Sequence, residues 1–121
     1  MGIYRIEIPL KLPSCNQYIN ACRKNYYAGA RMKKETQRQI EWFLIGLPKI
    51  TNPVHIDFHW VEENKRRDFD NCSFGKKFIL DALQEMEILP NDNPKYVKGF
   101  SDTFEYGSKA KVVLTIKEEE Q

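Results

Sequence analysis

The sequence contains few of the residues from which metal and redox centres are usually built. It has three cysteines and two histidines among 121 residues. Cys15, Cys22 and Cys72 are odd in number and match no zinc-site spacing, so we expect reduced thiols rather than a zinc finger. A nucleophilic cysteine needs a basic partner. The only histidines, His55 and His59, share one predicted strand, where solvent-facing positions are the simplest interpretation.

Long hydrophobic runs are missing as well. The chain has no stretch of about 18 apolar residues, so we expect no transmembrane helix. Arg5 and Glu7 carry charge where a signal peptide would be apolar, which favours a cytoplasmic protein.

The remaining composition is that of one small folded domain. Hydrophobic residues make up 41% of the chain and aromatic residues 12%, which favours a packed core over disorder. Chains of this length seldom form two cores. We therefore expect a single domain over residues 1–117 and an acidic tail over residues 118–121.

Positive charge is concentrated in a few segments. The net charge is +2 although the tail contains three glutamates, so the rest of the chain is more basic still. Such a surface suits a polyanion, although a solvated helix face and a charged loop would give the same pattern. The candidate DNA-contacting residues are Arg23, Lys24, Arg31, Lys33, Lys34, Arg38, Lys65, Arg66 and Arg67.

Hydrophobic periodicity predicts a fold of the α/β (α+β) class. We expect a single two-layer domain, with a mixed sheet of about four strands and two main helices. The last two strands are expected to form a hairpin through Gly107 and Ser108. The predicted strands are residues 4–10, 54–61, 95–105 and 110–117, the predicted helices are 28–46 and 72–87, and residues 17–27 are a short helix or a loop.

The segment Arg67-Asp68-Phe69-Asp70-Asn71 carries the strongest chemical signal. In an extended segment, Asp68 and Asp70 would point to the same side, within about 7 Å of each other. Two carboxylates that close favour a bound cation, and oxygen ligands suit Mg²⁺ or Mn²⁺. If Asp70 or Asn71 caps the next helix, Lys77 would lie on the same helix face two turns later.

Other carboxylates extend this pattern, but each has a structural alternative. Asp81 lies one turn beyond Lys77 and could pair with it. Asp92 stands in a Pro-Asn-Asp-Asn-Pro segment that is typical of turns. Asp-x-Asp-Asn before a helix is also common capping chemistry.

Two rival motifs are excluded by the neighbouring residues. A calcium loop of the EF-hand type that began at Asp68 would need glycine and glutamate where Ser73 and Ile79 stand. A phosphatase of the Asp-x-Asp-x-Thr kind would need an apolar strand directly before Asp68, and residues 62–67 are polar.

Residues 67–71, 77–83 and 88–92 together resemble the RusA family of Holliday junction resolvases of bacteria, prophages and phages. Residues 12–18 also resemble the opening of its phage-type members. The resemblance implies that Asp68, Asp70 and Asp92 bind metal and that Lys77 is the catalytic lysine. The segment between Asn71 and Lys77 is longer than in the best-known member of the family, which leaves Lys76 as a neighbouring candidate, and the first acidic position of the turn is Asn91.

The resemblance implies a Mg²⁺-dependent endonuclease in which Mn²⁺ can replace Mg²⁺. Such an enzyme acts as a homodimer in the cytoplasm of a bacterial or phage-infected host. It resolves four-way DNA junctions by paired symmetric nicks during recombination and repair. Asn71 and Lys76 would join the basic residues in contacting DNA. Two alternatives stay open, namely a nucleic-acid-binding protein without catalysis and a nuclease for other branched DNA.

Overall fold

A computed structural model describes residues 2–119, which form one four-stranded mixed sheet and four helices. The predicted α+β class is therefore confirmed. The elements in chain order are β1 (Ile3–Ile8), α1 (Cys15–Lys24), α2 (Tyr26–Leu44), β2 (Val54–Glu62), α3 (Phe69–Ser73), α4 (Lys76–Glu85), β3 (Val97–Tyr106) and β4 (Lys111–Glu118).

The sheet has the strand order β1-β4-β2-β3. β2 pairs in parallel with β3 and antiparallel with β4, and β4 pairs antiparallel with β1. The predicted hairpin of the last two strands is wrong, because both of them flank β2. The backbone N–H of Gly107 donates to the carbonyl of Glu62 over 2.9 Å, so the connection crosses the end of β2.

The predicted helix over residues 72–87 is interrupted at Phe74 and Gly75. Its main part is α4, which ends at Glu85, and its first two residues are the end of α3, which begins earlier, at Phe69. The backbone of Gly75 lies against Leu12 and Trp60. A Cβ atom at this position would be 2.8 Å from Leu12 Cδ1 and 3.3 Å from Trp60 Cζ3. A side chain therefore does not fit where the two helices meet the sheet.

Residues 17–27, predicted as a short helix or a loop, belong mostly to α1. Ser14 caps this helix, because its hydroxyl accepts from the N–H of Gln17 over 3.1 Å, while Gln17 Oε1 accepts from the N–H of Ser14 over 2.9 Å. This reciprocal pair is a capping box, which satisfies two N–H groups that the helix leaves unbonded.

The core lies between the helices and one face of the sheet. Every second residue of β2 is buried, whereas His55, Asp57 and His59 on the opposite face are only partly buried. One face of β2 therefore packs against the core. The largest fully buried side chains are Ile8, Ile40, Leu44, Ile50, Ile56, Phe58, Phe78, Ile79, Leu83, Leu89, Leu114 and Ile116.

The fold extends beyond the predicted boundary at residue 117. Glu118 is the last residue of β4, and its carboxylate accepts from the N–H of Gly2 over 2.6 Å. The N–H of Glu119 donates to the carbonyl of Pro53 over 2.7 Å. Residues 120 and 121 of the predicted tail lie outside the described residues. None of the helices within residues 2–119 has the length and apolar character needed to cross a membrane.

Candidate functional site

Asp68 and Asp70 lie at the start of α3, just beyond the C-terminal end of β2. Asp68 precedes the helix with extended backbone angles (φ −70°, ψ 157°), and its carbonyl accepts from the N–H of Cys72 over 3.1 Å. Asp70 belongs to the first helical turn. The segment is therefore the start of a helix, which was the alternative to an extended stretch with both side chains on one side. Both carboxylates are nevertheless exposed.

Arg67 fixes the segment that carries these carboxylates. Its guanidinium donates to the carbonyl of Leu12 over 2.9 Å and to Gln17 Oε1 over 2.7 Å, and it lies 4.0 Å from Glu62 Oε1. Only 16% of its side chain is exposed. Arg67, a predicted DNA contact, thus joins the segment before α3 to Leu12 and to Gln17 of α1.

Two further contacts hold α3. The thiol of Cys72 donates to Glu62 Oε1 over 3.3 Å, and burial together with this bond raises the pKa of Cys72 to about 11. Asn71 Oδ1 accepts from the N–H of Asn16 over 3.1 Å, which joins α3 to the first turn of α1. The side-chain amide oxygen of Asn71, a predicted DNA contact, therefore already accepts a hydrogen bond within the protein.

Phe69, between the two aspartates in sequence, packs onto the edge strand of the sheet. Its ring stacks on Phe104 of β3 with 4.1 Å between centroids and 10° between planes. Nearby, Lys65 Nζ lies 5.5 Å from the centroid of Tyr106. The stack of Phe69 on Phe104 joins α3 to β3, and Asp68 and Asp70 on either side of Phe69 are exposed.

The two neighbouring lysines of α4 differ in their surroundings. Lys76 Nζ lies 2.6 Å from Asp102 Oδ2, and Asp102 Oδ1 also accepts from the indole N–H of Trp60 over 2.9 Å. Lys76 further lies 4.9 Å from the ring centroid of Phe100. Lys77, in contrast, is exposed. Lys76 is thus bound to the sheet, and Lys77 is the lysine that an external ligand can reach.

Asp81 does not hold Lys77, as the helical spacing suggested. Its Oδ2 lies 3.3 Å from Lys33 Nζ, so the ion pair joins α4 to α2. Lys33, a predicted DNA contact, is accordingly engaged in helix packing.

Asp92 lies in the turn between α4 and β3. Asn91 Oδ1 accepts from the N–H of Asn93 over 3.1 Å, and Asn93 Oδ1 accepts from the N–H of Lys95 over 3.0 Å. Asn91 therefore acts in turn formation, and Asp92 between these two asparagines is exposed.

The three predicted metal ligands are divided between opposite ends of the sheet. Asp68 and Asp70 follow the end of β2, whereas Asp92 precedes the start of β3, which runs parallel to β2. A strand rises about 3.3 Å per residue, so the two ends of β2 are roughly 26 Å apart. Within residues 2–119, no group of three His, Cys, Asp or Glu side chains is close enough to hold a metal ion. The carboxylate chemistry suits Mg²⁺, but one chain does not assemble the predicted set.

Most of the other predicted DNA contacts are exposed. Arg31, Lys34 and Arg38 are spaced for one face of α2, and all three side chains are exposed. Arg66 lines a surface cavity together with Lys11, a basic residue that the sequence pattern did not single out. The remaining exposed members of the predicted set are Arg23 and Lys24 at the end of α1 and Lys65 before α3.

Sequence reasoning also missed Asp102. It lies on the same side of β3 as Phe100 and Phe104, because residues two apart in a strand point the same way. A carboxylate between two aromatic residues on one side of a strand is the signal that could have indicated an ion pair there. The two histidines lie on the opposite face. His55 Nε2 is 2.9 Å from Ser101 Oγ, and His59 Nδ1 is 2.6 Å from Thr103 Oγ1, so both join β2 to β3.

Comparison of the chain with models of known protein families gives no match, and comparison with curated proteins gives none either.

Proposed function

We propose that this chain is one subunit of a structure-selective DNA endonuclease that uses Mg²⁺, or Mn²⁺ in its place, to resolve four-way junctions. The observation that most supports this proposal is that Asp68 and Asp70 are exposed on a fixed segment of backbone. The segment around them is fixed by Arg67, yet within residues 2–119 no hydrogen bond or ion pair engages either carboxylate. Because no side chain of the described residues engages them, the oxygens of both carboxylates are available to a cation. The resemblance of the motifs to the RusA family supports the same proposal.

Because the three predicted carboxylates lie at opposite ends of the sheet, the proposal requires a dimer. Because Asp92 lies at the other end of the sheet, it reaches Asp68 and Asp70 only from a second copy of the chain. A two-fold homodimer has two such composite sites, related by the symmetry axis. Two symmetric sites would match the pseudo-symmetry of a four-way junction and account for paired nicks.

A divalent cation at such a site would activate water and offset negative charge on the phosphate. Lys77, which is exposed at the start of α4, would add positive charge there. Lys76 is not proposed for this role, because its ammonium group already pairs with Asp102.

The exposed basic residues supply the electrostatic attraction to DNA. Arg31, Lys34 and Arg38 follow one another along α2, with Lys65 and Arg66 in the loop before α3. Contacts of this kind are made to phosphates, so binding should weaken steeply with salt.

A second candidate function is a junction-binding protein without catalysis. It rests on the exposed basic residues alone, such as Arg31, Lys34 and Arg38 of α2. It predicts junction affinity that does not depend on divalent metal or on Asp68 and Asp92.

Cleavage of a labelled four-way junction in Mg²⁺ or Mn²⁺ tests the proposal, with a flap substrate and a linear duplex of the same sequence for comparison. We expect nicks in the junction, and we expect Asp70→Asn to abolish them while binding persists. Glu63→Gln, which removes an exposed carboxylate from the preceding loop, is the matched control and should leave cleavage intact. Metal-independent binding without cleavage by folded wild-type protein would support the second candidate instead.

A further inference from the structure

We propose that the outer face of α2 binds an unpaired strand of DNA, with bases stacked on exposed aromatic rings and phosphates held by the cations between them. This binding site is formed by residues other than Asp68, Asp70 and Asp92, and it needs no metal ion. Only the choice of DNA over RNA rests on the proposed function, because a single strand of either has bases and phosphates.

A row of exposed side chains, here named the α2 stripe, runs along this helix. Its members are Tyr27, Arg31, Lys34, Arg38 and Trp42. They follow one another at intervals of three or four residues, so in a helix of 3.6 residues per turn they fall within an arc of about 80°. Because a helix rises about 1.5 Å per residue, the stripe is about 22 Å long.

The α2 stripe faces away from the rest of the protein. The buried residues of α2 are Gly29, Thr36, Ile40 and Leu44, which the helical spacing puts on the opposite side. α2 packs against α1 and α4. All members of the stripe are exposed, so no other element within residues 2–119 covers it.

The two aromatic rings of the stripe are largely in contact with solvent. Trp42 is 73% exposed and Tyr27 is 70% exposed. Tyr26, which is also exposed, meets Tyr27 edge to face, with 5.3 Å between ring centroids and 86° between planes. Rings of this kind beside cations are the usual components of single-strand sites, in which bases stack on the rings.

The cations of the stripe are available to phosphates. Within residues 2–119, no carboxylate forms an ion pair with Arg31, Lys34 or Arg38. Glu35 and Glu41 flank the stripe, and three cations against two carboxylates leave it positively charged. The charge therefore complements a phosphate backbone.

Stacking selects an unpaired strand over a duplex. Each base inside a duplex has its faces covered by neighbouring bases, so a side chain outside reaches only base edges, sugars and phosphates. An unpaired base has open faces that a ring can cover. Trp42 and Tyr27 therefore add affinity for unpaired DNA alone, whereas the cations between them attract both forms.

A membrane surface suits this face less well. An interfacial helix inserts its apolar side among the lipids. The apolar side of α2, with Ile40 and Leu44, is already buried in the protein. The exposed side carries cations over most of its length and has rings only towards its ends, which favours a strand that follows the helix.

Tryptophan fluorescence tests the inference directly, because the two tryptophans of the chain differ in environment. Trp42 is largely exposed, whereas Trp60 is only 4% exposed. The protein is titrated with an oligothymidine of about twelve nucleotides, a length within the range that single-strand sites bind, at low salt and without divalent metal. We expect the stacked bases to quench the emission of Trp42, and we expect the quenching to disappear as the salt concentration rises.

Variants of Trp42 separate stacking from charge, with anisotropy of labelled DNA as the readout and circular dichroism to verify folding. Trp42→Ala should weaken oligothymidine binding about 5- to 150-fold, the loss expected for one stacked base, and leave binding to a duplex of the same length unchanged. Trp42→Tyr keeps a ring and should retain most of the affinity. Ile45→Ala removes an exposed apolar side chain one turn away, so it is the matched control and should bind as wild type does.

Several results would overturn the inference. They are a folded wild type that does not bind oligothymidine, equal losses of oligothymidine and duplex binding in Trp42→Ala, and tighter binding of an oligouridine of the same length. A shift of the Trp42 emission with phosphatidylserine vesicles but not with oligothymidine would overturn it in favour of a membrane. The measurement involves neither metal nor cleavage. Oligothymidine binding by a protein that nicks no junction would therefore refute only the proposed function, and nicking without such binding would refute only this inference.

Discussion

Lys76 and Asp102 join the start of α4 to the middle of β3, with 2.6 Å between Nζ and Oδ2. The side chains are 21% and 26% exposed, so water screens this pair only in part. The indole N–H of Trp60 donates to the same carboxylate, so Asp102 accepts from a residue of β2 as well as from a residue of α4. The sequence places two adjacent lysines here, and the structure gives them different environments.

Replacing each lysine in turn should separate stability from activity. Lys76→Met leaves the half-buried Asp102 without its cation, and we expect it to lower the free energy of unfolding by about 1–3 kcal/mol. Lys77→Met removes an exposed side chain, so the stability should change by less than about 0.5 kcal/mol. Urea denaturation measures both. On the proposed function, Lys77→Met should also slow junction cleavage by about 100-fold or more. A large loss of stability in Lys77→Met alone would contradict the assignment.

Arg66 and Arg67 should also differ, with Arg67 affecting stability and Arg66 affecting DNA binding. Arg67→Lys loses the planar fork that reaches Leu12 and Gln17, and we expect a loss of about 1–2 kcal/mol of stability. Arg66→Lys serves as the control and should be as stable as wild type. Arg66→Ala should reduce the salt dependence of DNA binding by about one unit of slope, because one phosphate contact is lost. An unchanged salt slope would remove Arg66 from the DNA surface.

Cysteine reactivity should report the burial of Cys72. A pKa of about 11 leaves only about 0.1% thiolate at pH 8. We therefore expect iodoacetamide to modify the exposed Cys22 well before Cys72, as followed by mass spectrometry of peptides. Equal rates for the two residues would show that the Cys72–Glu62 contact does not persist in solution.

The role of Glu118 in the fold should appear in the pH dependence of stability. The hydrogen bond from the N–H of Gly2 is the main cause that holds the pKa of Glu118 below its usual 4.5. Because the folded state has the lower pKa, this contribution is present above the usual value and is lost as the pH falls through the folded one. Glu118→Gln should therefore be less stable than wild type at about pH 7, and the difference should shrink towards about pH 3. Glu119→Gln is the control.

The regular elements were predictable because they depend on local periodicity. The alternation of β2 follows its buried and exposed faces, and the capping residues of α1 are adjacent in sequence. The break at Gly75 was not predicted from local periodicity, and the residues against which Gly75 lies, Leu12 and Trp60, are distant in the chain. The strand order was not predicted either. A short connection between two strands indicates a hairpin, and the local sequence does not show that β2 lies between β3 and β4.

The candidate site was likewise predictable only in part. Exposure of Asp68, Asp70 and Asp92 agrees with their sequence context, but whether they meet depends on the direction of β3 relative to β2. Likewise, the charge of Lys33, Arg67 and Lys76 is visible in the sequence, whereas their internal partners are not. Basic residues in a short sequence are therefore better counted as DNA contacts after intramolecular ion pairs have been assigned.

Complementation between two inactive variants tests the central claim most directly. Asp70→Asn and Asp92→Asn chains with different tags can be co-expressed, and the mixed dimer can be purified through both tags. If Asp92 acts across the dimer, each mixed dimer has one intact site and one doubly altered site. We predict that it nicks a four-way junction at up to about half the wild-type rate, while both parent homodimers are inactive. A mixed dimer as inactive as its parents, beside an active wild type, would contradict the composite site.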